Sequence, residues 1–197
     1  MKDRYSLLAP WYSSLVKLIF GGKLRESKLC LLENTASKNV LIIGGGDGLD
    51  YTEIAPDISG EYWELSGSML KKAKANLQLS QLDFHLGNFK AGKKFDEVWL
   101  HFVLDTMPDD EITSFLVEIK KSLSPRGRIF LADFFSPKKR YQRILTCGMI
   151  SLFRAITGHR RANLPDYEKI LFTENWLKSS EEEFLVGWVK AQIWQLG

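Results

Sequence analysis

The run Val40-Leu41-Ile42-Ile43 passes directly into Gly44-Gly45-Gly46-Asp47-Gly48, and this junction constrains the fold more than any other part of the chain. A short, uninterrupted apolar run reads as a strand buried on both faces, the usual state of a parallel sheet. The glycines after it permit positive φ and let a ligand approach the main chain. A helix is expected from about Leu49. Strand, glycine turn and helix N-terminus together form a nucleotide-type site at the carboxyl edge of a sheet. The glycines are spaced G-x-G-x-G, with Leu49 after Gly48, which fits the G-x-G-x-x-G dinucleotide fingerprint poorly.

Strand and helix patterns alternate downstream. Residues 61–65 read as a second strand, and residues 68–79 as a helix with Met69, Leu70, Ala73 and Leu77 on one face. Residues 82–86 and 95–103 read as further strands, 108–123 as a helix opened by proline and acids, 124–127 as a turn, and 127–135 as a fifth strand. Residues 5–33 suggest two helices, and 136–180 are mostly helical by pattern. Segments 183–189 and 191–196 suit a closing antiparallel pair. The rhythm predicts an α/β fold with a doubly wound, mostly parallel, seven-stranded sheet.

Composition excludes several classes. The 197 residues suit one domain with a sizeable core. A net charge of +3, from 27 basic and 24 acidic residues, gives no ground for a nucleic-acid partner. Cys30 and Cys147 have neither disulfide nor metal-ligand spacing. His85, His101 and His159 do not form a metal set. No apolar run has the length of a membrane span and no signal peptide opens the chain, so a reducing cytoplasm is the expected compartment. Residues 142–156 are amphipathic, with Lys138, Lys139, Arg140, Arg154, Arg160 and Arg161 around them. Such a segment suits either a helix over an acceptor pocket or peripheral contact with an anionic membrane.

Glu64 lies at the end of the second strand, 16 residues after Gly48. An acid there faces the ligand crevice and can accept hydrogen bonds from ribose hydroxyls. His101 is the first candidate general base, because histidine titrates near neutral pH, and Asp105 is the second. Asp105 also suits a helix cap near Pro108.

Five strings in order resemble the class I S-adenosylmethionine-dependent methyltransferases. They are residues 40–48, Glu64-Leu65-Ser66-Gly67-Ser68-Met69-Leu70, Leu86-Gly87-Asn88-Phe89, Phe95-Asp96-Glu97-Val98 and Leu123-Ser124-Pro125-Arg126-Gly127-Arg128. The opening Tyr5-Ser6-Leu7-Leu8-Ala9-Pro10-Trp11-Tyr12 is similar to the quinone and phospholipid branch. The resemblance covers about residues 38–135 and implies a Rossmann-like methyltransferase fold that binds S-adenosyl-L-methionine. It implies that Gly44, Gly45, Gly46 and Gly48 pass the methionine part and that Glu64 holds the ribose. Leu65, Asn88 and Phe89 would surround the adenine, and His101 would lie by the methionine part or the acceptor. Tyr12 and the segment after Phe135 would cover a small or lipid-like acceptor. The implied organisation is a single domain: residues 1–37 a helical cap, 38–135 the cofactor core, 136–180 a helical lid and 181–197 closing strands.

The sequence departs from the family pattern at Ile42, where many members carry an acid, and at Asn88, where Asp is commoner. An amide still presents an acceptor. Arg126 stands where a second glycine is common, and the segment between Asn88 and Phe95 is short. The Ile43-Gly-Gly-Gly-Asp-Gly48 string also matches the polyamine synthases, which transfer an aminopropyl group. Their acids after the fourth strand are represented here by Asp105 alone, within His101-Phe102-Val103-Leu104-Asp105. A catalytically silent binding or scaffolding domain is the third reading.

Overall fold

The computed structural model describes residues 20–32, 38–157 and 163–197. Tyr12, His159 and most of the N-terminal cap lie outside these residues. Helix α1 (Lys23–Leu29) precedes strand β1 (Lys38–Ile43), and β2 (Ile58–Glu64), α2 (Gly67–Asn76), β3 (Gln81–Leu86) and β4 (Phe95–His101) come next. Then come α3 (Asp109–Ser122), β5 (Leu123–Phe134), α4 (Arg140–Thr157), α5 (Tyr167–Thr173), β6 (Trp176–Phe184) and β7 (Val189–Leu196).

The seven strands form one sheet in the order β3-β2-β1-β4-β5-β7-β6. β1 pairs in parallel with both β2 and β4, and β7 runs antiparallel between β5 and β6. The order reverses at β1, between β2 and β4, where open α/β sheets carry their ligands. Val40, Leu41 and Ile42 have no exposed surface, and each such aliphatic side chain contributes about 1.5–3 kcal/mol through burial. Alternation sends Leu41, Val98 and Leu100 to one face, against Ile112, Leu116 and Ile119 of α3. Val40, Ile42 and Trp99 face the other way, against Tyr51, Leu70 and Leu77.

The helix expected from Leu49 does not form. Two 3₁₀ turns, Leu49–Tyr51 and Ala55–Asp57, fill the crossover from β1 to β2. Pro56 supplies the reason. It lacks an N–H and its ring would clash with the carbonyl four residues back, so a helix begun at Leu49 would have fewer than two turns to offset its nucleation cost. Tyr51, 1% exposed, fills the space under the crossover.

Two boundaries also move. The turn at 124–127 lies inside β5, because Phe95 pairs with Leu123 and Glu97 with Arg128, so these residues bulge opposite Asp96. The helical stretch ends early, since β6 begins at Trp176, which is fully buried. Asn175, at φ 60°, turns the chain out of α5. Among the described residues no helix is long and apolar enough to cross a membrane.

Candidate functional site

A cavity of about 440 Å³ opens at the carboxyl edge of β1 and β2. Ile43, Gly44 and Gly46 form one wall, and Trp63, Glu64, Leu65, Ser66 and Met69 a second. Gly87, Asn88 and Phe89 lie just past β3, while Phe102, Val103, Thr106, Met107, Glu111 and Phe115 close the cavity from the β4 side. The structure therefore brings Gly44, Gly46, Glu64, Leu65, Asn88 and Phe89 around one space.

Glu64 ties this space together. Its Oε2 accepts the Gly46 N–H at 3.1 Å and its Oε1 accepts the Ser66 N–H at 2.8 Å. One carboxylate thus bridges the glycine turn and the cap of α2, where the Ser66 hydroxyl accepts the Met69 N–H at 3.4 Å. An ionised carboxylate is acceptor-only, the character that a ligand hydroxyl requires. The Gly87 N–H donates to the Glu64 carbonyl at 3.0 Å, which sets the adjacent Asn88 at the cavity rim. The Phe89 ring meets Trp63 edge-on at 5.7 Å.

The glycines have separate tasks. A Cβ at Gly44 would lie 2.8 Å from Val103, one at Gly45 would lie 2.5 Å from the Tyr62 hydroxyl, and one at Gly48 would lie 2.8 Å from Leu77. These three make room for the protein itself, and Gly45 and Gly48 do not line the cavity. At Gly46, φ is +69° and a Cβ would meet nothing within 4 Å. The backbone there is bare toward open space, so a ligand can lie against it. Neighbouring side chains hold the turn: the Tyr62 hydroxyl donates to the Gly46 carbonyl at 3.0 Å, and the Asn76 amide donates to the Asp47 carbonyl at 2.9 Å.

Both candidate bases are placed elsewhere. His101 is 4% exposed and does not line the cavity. Its Nδ1 shares a hydrogen bond of 2.8 Å with the Tyr51 hydroxyl, and its ring lies parallel to Trp99. Burial, and then the nearby Lys28 ammonium, push its pKa well below the usual histidine range, so it stays neutral at pH 7. The expectation that His101 lies beside the cofactor is corrected: alternation puts its ring on the Trp99 face. Asp105 lies in a 3₁₀ turn, Leu104–Thr106, and also lies off the cavity. It neighbours Asp133, whose carboxyl is driven well above the usual range by burial and then by the Asp105 charge. The Phe134 N–H, at 2.8 Å, and the Tyr167 hydroxyl oppose that rise.

Sequence reasoning missed Trp63, Met69, Phe102, Val103, Met107, Glu111 and Phe115 as lining residues. Helical spacing placed Met69 on a buried face. Phe102 was readable only as part of a strand, yet it takes φ +58° and turns the chain into the cavity wall.

Residues 41–131 match the family model described as a methyltransferase domain. No curated protein sequence matches the chain. Among solved structures, the mitomycin 7-O-methyltransferase MmcR superposes with a TM-score of 0.70 at 16% identity, over 89% of this chain and 54% of that one. The chain thus spans about half the length of that enzyme. A DhpI–SAH complex gives 0.67 at 15% identity, over 99% and 97%. Magnesium protoporphyrin IX methyltransferase from Synechocystis PCC 6803 gives 0.62 at 20% identity, over 86% and 78%. The glycine turn, the strand order and the family match converge on a methyltransferase domain over residues 41–131, and the chain shares the fold of these solved methyltransferase structures.

Proposed function

We propose that the cavity holds S-adenosylmethionine and that the protein transfers its methyl group to a small or lipophilic acceptor. The observation that carries this reading is the bridge from Glu64 to Gly46, on the wall of a cavity of about 440 Å³. A ribose needs a fixed acceptor pair, and the carboxylate is already oriented by two backbone N–H groups. Gly46 leaves a bare main chain for the methionine part. Leu65, Met69, Phe89 and Val103 give apolar walls that exclude water, and the Asn88 amide can meet the adenine edge. Bound there, the cofactor supplies an electrophilic methyl carbon on a sulfonium, suited to in-line displacement.

What the protein adds is placement. Holding an acceptor near attack distance supplies roughly 7–11 kcal/mol at best. With His101 sealed and Asp105 turned to Asp133, no general base is assigned to the described residues. The mitomycin and protoporphyrin enzymes, whose names specify small molecules, support an acceptor of that class. The division into a cofactor core over residues 38–135 and a helical region over 136–175, ahead of β6, is part of this proposal, with the acceptor held beside the core.

Isothermal titration with S-adenosylhomocysteine tests the reading. The wild type binds, and Glu64→Ala weakens binding by at least about tenfold, or about 1.4 kcal/mol, while the thermal melt stays cooperative. An unchanged dissociation constant removes the ribose role. No binding by the wild type removes the cofactor site.

A further inference from the structure

The outward face of α4 and the tip of the β6–β7 hairpin form a patch that the cavity does not use. None of the 18 residues of α4 is acidic. Its inner face is committed over residues 142–149. The Gln142 side-chain oxygen accepts the Lys138 and Lys139 N–H groups at 2.9 and 2.8 Å, and its amide donates to the Leu185 carbonyl at 2.8 Å. The Trp188 indole donates to the Thr146 hydroxyl at 3.0 Å, and Leu145 and Met149 pack on the Phe20–Phe134–Trp188 cluster. The outer face is therefore held rigidly, with the hairpin tip tied beside it.

On that outer face Ile144 is 72% exposed and Tyr141 51%, one helical turn apart, and Val186 at the hairpin tip is 55% exposed. Lys139, Arg140 and Arg143 are exposed around them. Among the described residues none gives these three cations an ion-pair partner, whereas Lys138 meets Glu183 at 3.6 Å. Large apolar groups standing among unpaired cations match a surface that is both anionic and greasy. A nucleic acid would engage the cations and leave Ile144 and Val186 in water.

We propose that this face docks on an anionic lipid bilayer, with Tyr141, Ile144 and Val186 at the acyl boundary and the cations on the headgroups. The surface also backs onto the site. Leu145 and Met149 pack on the same cluster as Phe102, and Phe102 lines the cavity. Docking does not depend on the methyl-transfer reading, because it is measured without cofactor or acceptor.

The test is co-sedimentation of the full chain with two kinds of vesicle, phosphatidylcholine alone and phosphatidylcholine mixed with phosphatidylglycerol. The wild type partitions about tenfold more strongly onto the mixed vesicles, and salt removes this preference by screening. The double variant Arg140→Glu/Arg143→Glu loses that preference. Ile144→Asp lowers partition roughly threefold or more with every cation in place. All these positions are exposed, so melting temperatures should match the wild type; if Ile144→Asp melts early, Ile144→Ser replaces it. Equal partition onto both vesicles overturns the proposal. So does unchanged partition of the Ile144 variant together with full displacement by inorganic polyphosphate, which would mark a simple polyanion site.

Discussion

At the β1–β2 edge an acid ends its strand facing a cavity, and at the β4–β5 edge a histidine at the end of β4 and an acid one residue before the end of β5 face protein. Glu64 keeps part of its surface open and is oriented by the Gly46 and Ser66 N–H groups. His101 and Asp133 are buried, and their partners are Tyr51 on one side and Tyr167 with Asp105 on the other. All three sit near the carboxyl edge of one sheet. The difference originates in the crossover that leaves β1. A bare glycine turn leaves space beside β2, while the 3₁₀ turn at Tyr51 fills the space beside β4. The open edge should respond to mutation through ligand binding, and the sealed edge through stability.

Gly46→Val is the strongest way to break this contrast. Valine at φ +69° is strained, and its side chain projects into the space the ligand requires. S-adenosylhomocysteine binding should fall roughly 100-fold or more, about 2.7 kcal/mol, by isothermal titration. Because no protein atom lies within 4 Å of the new Cβ, the circular dichroism spectrum should be retained. A variant that binds normally would show that no ligand passes the turn.

Asp133→Asn acts at the sealed edge with the opposite signature. Burial first, and the Asp105 charge second, raise the Asp133 pKa in the folded state. The folded protein then binds more protons than the unfolded chain over the window between the ordinary carboxyl value and the raised one. Stability therefore falls as pH rises through that window, at about 1.4 kcal/mol per pH unit, and is fully present below the unfolded value. Asparagine removes the titration. Denaturant titrations from pH 4 upward should show the wild type losing stability while the variant stays flatter, with cofactor affinity unchanged. Parallel curves would mean that Asp133 is ionised in the fold at no cost.

How far the sequence discloses these two edges depends on chain geometry. The run 40–43 and the glycines specify β1 and its turn locally, and the spacing to Glu64 is set by one crossover. The face of a strand end is harder to read. Trp99 and His101 share one side of β4 and Leu100 the other, but which side is open depends on Tyr51, 50 residues from His101. The meeting of Asp105 with Asp133 likewise needs the β4–β5 pairing. Pro56 was a visible sign that the first crossover would not be a helix. The start of β6 at Trp176 was hidden, because apolar spacing there suits helix and strand equally.

Tyr51→Phe sharpens the comparison at smaller cost. It leaves the His101 Nδ1 without its 2.8 Å partner, and an orphaned buried polar atom costs about 1–3 kcal/mol. The midpoint of denaturation should drop accordingly, with S-adenosylhomocysteine affinity within about twofold of wild type. A large affinity loss at constant stability would return His101 to the site.

Tyr62→Phe gives the smallest effect and crosses the divide, because Tyr62 is sealed in the core yet acts on the open edge. It has no exposed surface, and its ring packs on Phe84 at 5.3 Å. Its hydroxyl donates to the Gly46 carbonyl at 3.0 Å, while Glu64 holds the N–H of the same residue at 3.1 Å. The peptide units flanking Gly46 are thus fixed from two residues of β2. Phenylalanine keeps the packing and removes one hydrogen bond, worth about 0.5–1.5 kcal/mol. Part of that loss should appear as weaker cofactor binding, about threefold, because the glycine turn must then be ordered by the ligand. If the whole loss appears in the thermal melt and none in affinity, the turn is rigid without Tyr62, and Glu64 alone pre-forms the open edge.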